Sequence, residues 1–355
     1  MVNLTLPKAI KVYPKLEFKF SIEKGFKSNN PLLLMKLIAF VGYPLSGKST
    51  ASKIARDLGI PVVVMGDVVR EEVRKRGLEL NDENAGKIAN YLRERDGMDA
   101  IAKMCIPKIR DLESKVVVVD GIRGIAEIER FKREFGEDFF LIGITSSPQK
   151  RLQRAKKRGR EDDVSNLQDL RMRDFREESW GLKEALEECD ILVENELDLE
   201  SFKEKIENLL KEFMGVVEVE IRTTIHPTED EERVKRAILN FFPDAEVIVR
   251  NGDFKELVAK AKDLSNFREL LRRQRILDTT RQEMIKNITG NEITIFLNKQ
   301  AATVSRINIS DEDVVLSPLK VTFRVHGIEL QRLIDYLAPE TRNGKPLKEI
   351  ELIDD

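Results

Sequence analysis

Residues 37–50 read LIAFVGYPLSGKST. The apolar run 37–41 stops at Gly42, as a buried parallel strand would. Gly42, Gly47, Lys48 and Ser49 then satisfy G-x-x-x-x-G-K-[ST], and helical periodicity continues from 49 to 58. Strand, glycine loop and helix in that order predict a phosphate-binding loop. Small residues let successive backbone amides curl around phosphate oxygens, and the helix N-terminus adds partial positive charge. Gly42, Tyr43, Pro44, Leu45, Ser46, Gly47, Lys48, Ser49 and Thr50 are therefore the expected contacts to a nucleoside triphosphate. Lys48 would reach the terminal phosphates of ATP, and the Ser49 hydroxyl would hold Mg²⁺.

A chain of 355 residues is long for one domain and suggests two. An apolar fraction of 41% is enough for real cores, and 35% charged residues imply a surface rich in ion pairs. Such a load is common in thermophilic proteins. A net charge of −2 argues against a wholly basic coat, so nucleic-acid binding would have to use a local patch. Cys105 and Cys189 lie far apart, and with only His226 and His326 beside them a zinc site is not expected. No run of about 18 apolar residues predicts a membrane span, and no secretory signal is recognisable. The expected compartment is the cytoplasm.

Before the loop, Leu16, Phe18, Phe20 and Ile22 alternate with polar residues as a half-buried strand would, and Ser28-Asn29-Asn30-Pro31 follows as a loop. Met35 stands directly before the first core strand and is read as the true start, with 1–34 a disordered or mis-assigned extension. After the loop, a strand at 60–65 ends in Gly66-Asp67, with Asp67 as N-cap of the next helix. Helices at 83–95 and 97–114, a strand at 115–120, a helix at 125–135 and a strand at 139–145 follow. A basic helix at 148–158, a strand at 189–193 and a helix at 199–213 complete the pattern. Alternating strands and helices predict a doubly wound parallel α/β sheet over 35–214. Ligands in such sheets bind at the carboxyl ends of strands, where Gly42, Asp67, Asp120 and Arg123 fall.

This first part resembles the nucleoside monophosphate kinase group of P-loop kinases, which includes adenylate kinase and dephospho-CoA kinase. Gly66-Asp67-x-x-Arg70 is similar to the acceptor-phosphate segment of adenylate kinase. Asp120-Gly121-Ile122-Arg123 resembles a D-G-x-x-R strand end, with the arginine one place earlier. Arg158 and Arg160, ahead of Asp162 and Asp163, resemble lid arginines, and 190–195 the segment beside the nucleotide base. Dephospho-CoA kinase usually carries Asp-x-Asp where this chain has Met65-Gly66-Asp67, a departure that leaves that substrate open. The resemblance implies that Lys48, Arg158 and Arg160 neutralise the transferred phosphoryl group while Arg70 and Arg123 clamp an acidic acceptor. Asp67 would orient the acceptor or take its proton, and Asp120 would hold Mg²⁺ through water. Each carboxylate could instead be a helix cap or a strand-end hydrogen-bond partner. Arg151, Arg154, Lys156 and Lys157 read as a solvated helix face.

From 216 a new α+β unit begins, expected to extend to 355. Residues 217–224 alternate as a strand. His226 sits in a turn, and Thr228 is the expected N-cap of a helix reaching 241. A strand is expected at 245–249, a helix at 254–261 and one long helix at 266–286, on which Arg268, Arg272 and Arg275 share a face. Strands at 292–297, 302–307 and 319–325 and a short helix to 337 follow, with Phe267 and Phe296 read as core. The segments at 226–234, 272–281, 296–302 and 337–341 resemble a small archaeal family of predicted RNA-binding proteins related to an exosome-associated subunit. By that resemblance Arg272, Arg275, Arg281, Lys299 and Gln300 are candidates to touch RNA phosphate or base edges. The rival reading pairs those arginines with surface Glu and Asp. Three functions stay open: a phosphotransferase acting on a nucleotide, a cofactor precursor or an RNA end; an ATPase switch that modulates RNA binding; and an RNA-binding scaffold with a structural ATP site.

Overall fold

The structure, a computed structural model, describes residues 35–158, 166–179, 181–252 and 254–352. The extension 1–34, Arg160 and the side chain of Arg158 lie outside the described residues.

The first part runs β1 (Lys36–Val41), α1 (Lys48–Asp57), β2 (Val62–Val64), α2 (Met65–Lys75), α3 (Asp82–Asp96), α4 (Ala100–Arg110), β3 (Val116–Asp120) and α5 (Ile125–Phe135). It continues with β4 (Phe139–Thr145), α6 (Pro148–Arg158), α7 (Leu167–Glu178), α8 (Leu182–Glu187), β5 (Ile191–Glu194) and α9 (Leu199–Met214). The five strands pair in parallel in the order β2-β3-β1-β4-β5. β1 is central and buried on both faces. Leu37, Ala39 and Val41 enter one core with Val69, Ile109 and Phe131, while Ile38 and Phe40 enter the other with Ile54, Phe202 and Ile206. Apolar residues on both faces of a strand are what covering helices on both sides of a parallel sheet require.

The second part runs β6 (Val216–Ile225), α10 (Glu231–Leu239), β7 (Glu246–Arg250), β8 (Lys255–Ala261), α11 (Ser265–Gln274), α12 (Leu277–Lys286) and β9 (Ile288–Thr289). Then come β10 (Glu292–Leu297), α13 (Lys299–Ala302), β11 (Leu319–His326) and α14 (Leu330–Leu337). Its strands form an antiparallel sheet in the order β7-β8-β6-β11-β10-β9. One face is the core, with Val219, Ile221, Ile295, Val321 and Phe323 packed against Phe267, Leu271 and Leu337. The fold is thus a P-loop α/β domain followed by an α+β domain.

Several local expectations are corrected. Asp67 is the third residue of α2, whose N-cap is Val64. Asp230, and not Thr228, caps α10, accepting from the Arg233 amide at 2.9 Å. Residues 255–261 form a strand where a helix was expected, because they pair with β6 on one side and β7 on the other. Val258 is buried on the face opposite Leu257, Ala259 and Ala261, which hides the two-residue period. The expected long helix at 266–286 breaks at Arg275, which takes a left-handed φ of 57° and ends α11. Residues 302–307 are no strand: α13, capped by Asn298, turns through Ser305 instead. Phe296 is only half-buried, on the sheet face away from the helices, with Lys320 Nζ 5.9 Å from its ring centre. α7 and α8 were not anticipated.

Candidate nucleotide site and basic surface

The phosphate loop leaves β1 at Gly42 and enters α1 at Gly47. A Cβ on Gly42 would lie 2.2 Å from the Ile144 carbonyl oxygen, and one on Gly47 would lie 2.5 Å from Asn195 Nδ2. Gly47 also has φ 127°, so both positions exclude a side chain by space and the second by conformation as well. Within the loop the Ser46 amide bonds the Tyr43 carbonyl, and the amides of Thr50 and Ala51 both bond the Gly47 carbonyl. Among the described residues no protein acceptor meets the amides of Gly47, Lys48 and Ser49. The buried Ser46 hydroxyl has no partner either. Donors without acceptors in a glycine cradle at a helix N-terminus fit an anionic phosphate chain.

The outer side of the loop is braced. Arg151, only 3% exposed, forks onto both carboxylate oxygens of Asp174 at 2.7 Å and donates to the carbonyls of Pro44 and Ser146. Its guanidinium also lies 5.0 Å from the Tyr43 ring centre. Arg154 donates to the carbonyls of Leu45, Ser46 and Asn195, and Asn195 Nδ2 donates to the Ser46 carbonyl at 2.8 Å. The Tyr43 hydroxyl donates to Glu178 at 2.6 Å, and burial followed by that bond raises its pKa. The solvated-face reading of Arg151 and Arg154 is therefore corrected. The two guanidinium groups take up the loop carbonyls, with Arg151 anchored by Asp174 on α7, and leave the amides for a ligand. Lys156 and Lys157 are exposed, as expected.

Lys48 Nζ folds back onto the carbonyls of Gly42 and Tyr43. Burial lowers its pKa to about 8 against the opposing pull of Glu177 and Asp120, while Arg123 and Arg151 push in the same direction as burial. Asp120, at the end of β3, accepts from the Ser52 hydroxyl at 2.9 Å, and Ser49 is exposed at the first turn of α1. A hydroxyl and a carboxylate flanking the loop are hard oxygen donors suited to Mg²⁺.

Asp67 and Arg70 pair with each other on the exposed start of α2. An exposed pair of this kind is worth about 0–1 kcal/mol and yields readily to a stronger anion. The turn after β3 runs alongside, since a Cβ on Gly121 would lie 3.5 Å from Met65 Cβ. Arg123 is exposed, and its amide donates to Glu127 at 2.8 Å. Glu127, 2% exposed, also accepts from Arg93 at 3.3 Å, and burial raises its pKa. Sequence reasoning missed Glu127 and Arg93. The spacing Gly124-x-x-Glu127, a variant of the capping box at the start of α5, was the available signal.

In the second domain most of the nominated residues are engaged internally. Arg272 bonds Glu349 and the carbonyls of Tyr336 and Leu337, and Arg281 bonds Asp335 and the Ala338 carbonyl. Lys299, 4% exposed, bonds Glu229 and the Thr224 carbonyl, each at 2.7 Å. The shared arginine face is corrected too: Arg268 joins Arg272 on Glu349, while Arg275 turns away past the helix end. Arg275 and Gln300 are exposed.

A family model described as "AAA domain" matches residues 41–171, and one described as "RNA binding" matches 218–325. A UPF0200/UPF0201 protein of Archaeoglobus fulgidus is 61% identical over 322 residues, covering 90% of this chain and 99% of the relative. A UPF0200 protein of Methanosarcina mazei is 51% identical over 181 residues, covering 51% of this chain and 97% of its own length. A crystal structure of a UPF0201 protein is 56% identical, covering 37% of this chain and 99% of its own, with a TM-score of 0.34. No helix among the described residues is long and apolar enough to cross a membrane.

Proposed function

The chain belongs to the archaeal UPF0200/UPF0201 family, and we propose that residues 35–214 act as a cytoplasmic, ATP- and Mg²⁺-dependent phosphotransferase joined to an RNA-binding unit at 216–355. The observation that carries this reading is a braced phosphate loop with Arg70 and Arg123 both exposed just after strands β2 and β3 of the same sheet. Amides of Gly47, Lys48 and Ser49, with the Lys48 ammonium, suit the triphosphate. Ser49 and Asp120 would hold Mg²⁺, which supplies charge neutralisation at the phosphate oxygens. Arg70 and Arg123 suit an acceptor that is itself anionic, which simple hydrolysis would not need. Asp67 would receive the proton of an acceptor hydroxyl as the γ-phosphoryl group passes from the β-phosphate oxygen to the acceptor oxygen. Arg158 and Arg160 keep the lid role that the kinase resemblance implies.

A second reading, an ATPase switch acting on RNA binding, is favoured by α9. Phe202, near its start, lies beside Gly47, since a Cβ there would come 3.0 Å from the ring. Glu212, near its end, bonds His326 and the Gly327 amide of the second domain. Turnover of γ-labelled ATP with Mg²⁺ separates the two readings, with mononucleotides, dephospho-CoA and structured RNAs offered separately. Label transferred to one acceptor supports the phosphotransferase and names its substrate class. Free phosphate alone, released faster with RNA present, overturns it in favour of the switch.

A further inference from the structure

The second domain has two surfaces that could meet a polyanion. On the open face of its sheet, Arg222, Lys260, Lys320 and Arg324 alternate with Glu218, Glu220, Glu256 and Glu292. Arg222 pairs with Glu220 and Arg324 with Glu292, so that face is electrically balanced.

The corner where α10, the end of α11 and the 298–307 loop meet is different. Three side-chain amides lace it together. Asn266 donates to the carbonyls of Asn240 and Phe241, Asn240 donates to those of Ala302 and Thr303, and Gln274 bridges the Ser305 carbonyl and the Ile307 amide. Arg236 lies one turn before Asn240, Arg273 two turns after Asn266, Arg275 directly follows Gln274, and Arg306 lies between the two residues that Gln274 bridges. All four arginines are exposed, as is Gln300. Among the described residues none of the four makes an ion pair within 4 Å, in contrast to Arg268, Arg272 and Arg281. Glu232 and Glu269, four residues before Arg236 and Arg273, are the acids on the same helix faces, so the corner keeps an excess of positive charge.

We propose that this corner is the surface that contacts the RNA phosphate backbone, with Arg236, Arg273, Arg275 and Arg306 as the phosphate ligands and Gln300 beside them. The assignment rests on the RNA-binding reading of this domain. Exposed guanidinium groups on a braced frame suit bidentate phosphate contacts, which fix position without reading sequence. A chain of net charge −2 needs such a local concentration to hold a polyanion.

The test is fluorescence anisotropy of the full chain with a labelled RNA hairpin and a labelled single strand, repeated across salt concentrations. Arg236→Gln, Arg273→Gln and Arg306→Gln are combined, sparing Arg275 because of its backbone. The combined variant is expected to lose about 10- to 100-fold in affinity at about 0.1 M salt, with a salt slope shallower by about 2. The matching Arg→Lys variant, which keeps the charge and loses the bidentate fork, should fall between the Gln variant and wild type, and Lys260→Gln with Lys320→Gln on the sheet face should bind as wild type. Unchanged binding by the corner variant overturns the assignment while leaving the RNA-binding reading intact. Absence of RNA binding by the wild-type chain removes that reading and the assignment with it. Equal competition by polyglutamate would mark a general polyanion surface, and would also overturn the RNA assignment.

Discussion

The side-chain amide of Asn195 donates to the Ser46 carbonyl at 2.8 Å, tying the end of the last parallel strand to a phosphate loop 149 residues earlier. Asn195 is 5% exposed and lies close enough to Gly47 to forbid a side chain there. Asn195→Ala should lower stability by about 1–2 kcal/mol, because it weakens the solvation of a buried carbonyl. Release of the loop should also weaken ATP binding about tenfold, equivalent to about 1.4 kcal/mol. Urea unfolding and calorimetric titration measure the two effects. A stability loss with unchanged ATP affinity would show that the bond does not shape the loop.

Lys48 has a pKa lowered to about 8 chiefly by burial. Phosphate binding favours its charged form, so ATP affinity should fall as pH rises through about 8, and binding near that pH should take up a proton. Titrations in buffers of different ionisation enthalpy report this uptake directly. Lys48→Ala should abolish turnover and remove the pH dependence together.

Arg123→Ala should raise the acceptor KM about 10- to 100-fold, the range for a lost hydrogen bond to a charged group, and leave the affinity for ATP nearly unchanged. Initial rates with each substrate varied in turn make the comparison. Equal losses for both substrates would count against an acceptor clamp.

His326 sits at the join between the domains, 3.0 Å from Glu212 and 3.3 Å from Glu218, and Lys211 pairs with Glu218 beside it. The bonds to Glu212 and Glu218 raise its pKa to about 9 from 6.5. A group whose folded pKa is raised contributes fully below its unfolded value, so this contribution is complete below about 6.5 and is lost as pH rises through about 9. Unfolding free energies from urea titrations between those limits should fall by on the order of 1–3 kcal/mol in the wild type. His326→Gln should show a flatter profile over the same range.

Much of the α/β fold was legible because its signals are local. Residues 125–135 and 139–145 match α5 and β4 residue for residue, since an amphipathic period and an apolar run each declare themselves within one segment. β8 was misread because pairing on both sides and burial of Val258 overrode its period. The break at Arg275 has no local signature, because nothing in RRQRIL signals a left-handed residue. α7 was missed for a related reason: it leaves Met172 and Phe175 exposed and carries little apolar periodicity.

By itself, the sequence determined the phosphate loop, whose whole signal lies in fourteen contiguous residues, and the parallel sheet behind it, whose strands and helices alternate segment by segment. The tertiary structure decided which charged side chains are free to act. Arg151 and Arg154 reach loop carbonyls 107 and 109 residues away, and Arg272 reaches a carbonyl 65 residues away. Arg273, in the same helix as Arg272, is left to solvent. A guanidinium has the same chemistry in every one of these places. Its role follows from whether folding brings an acceptor within about 3 Å of it, and that distance is a property of the packed chain.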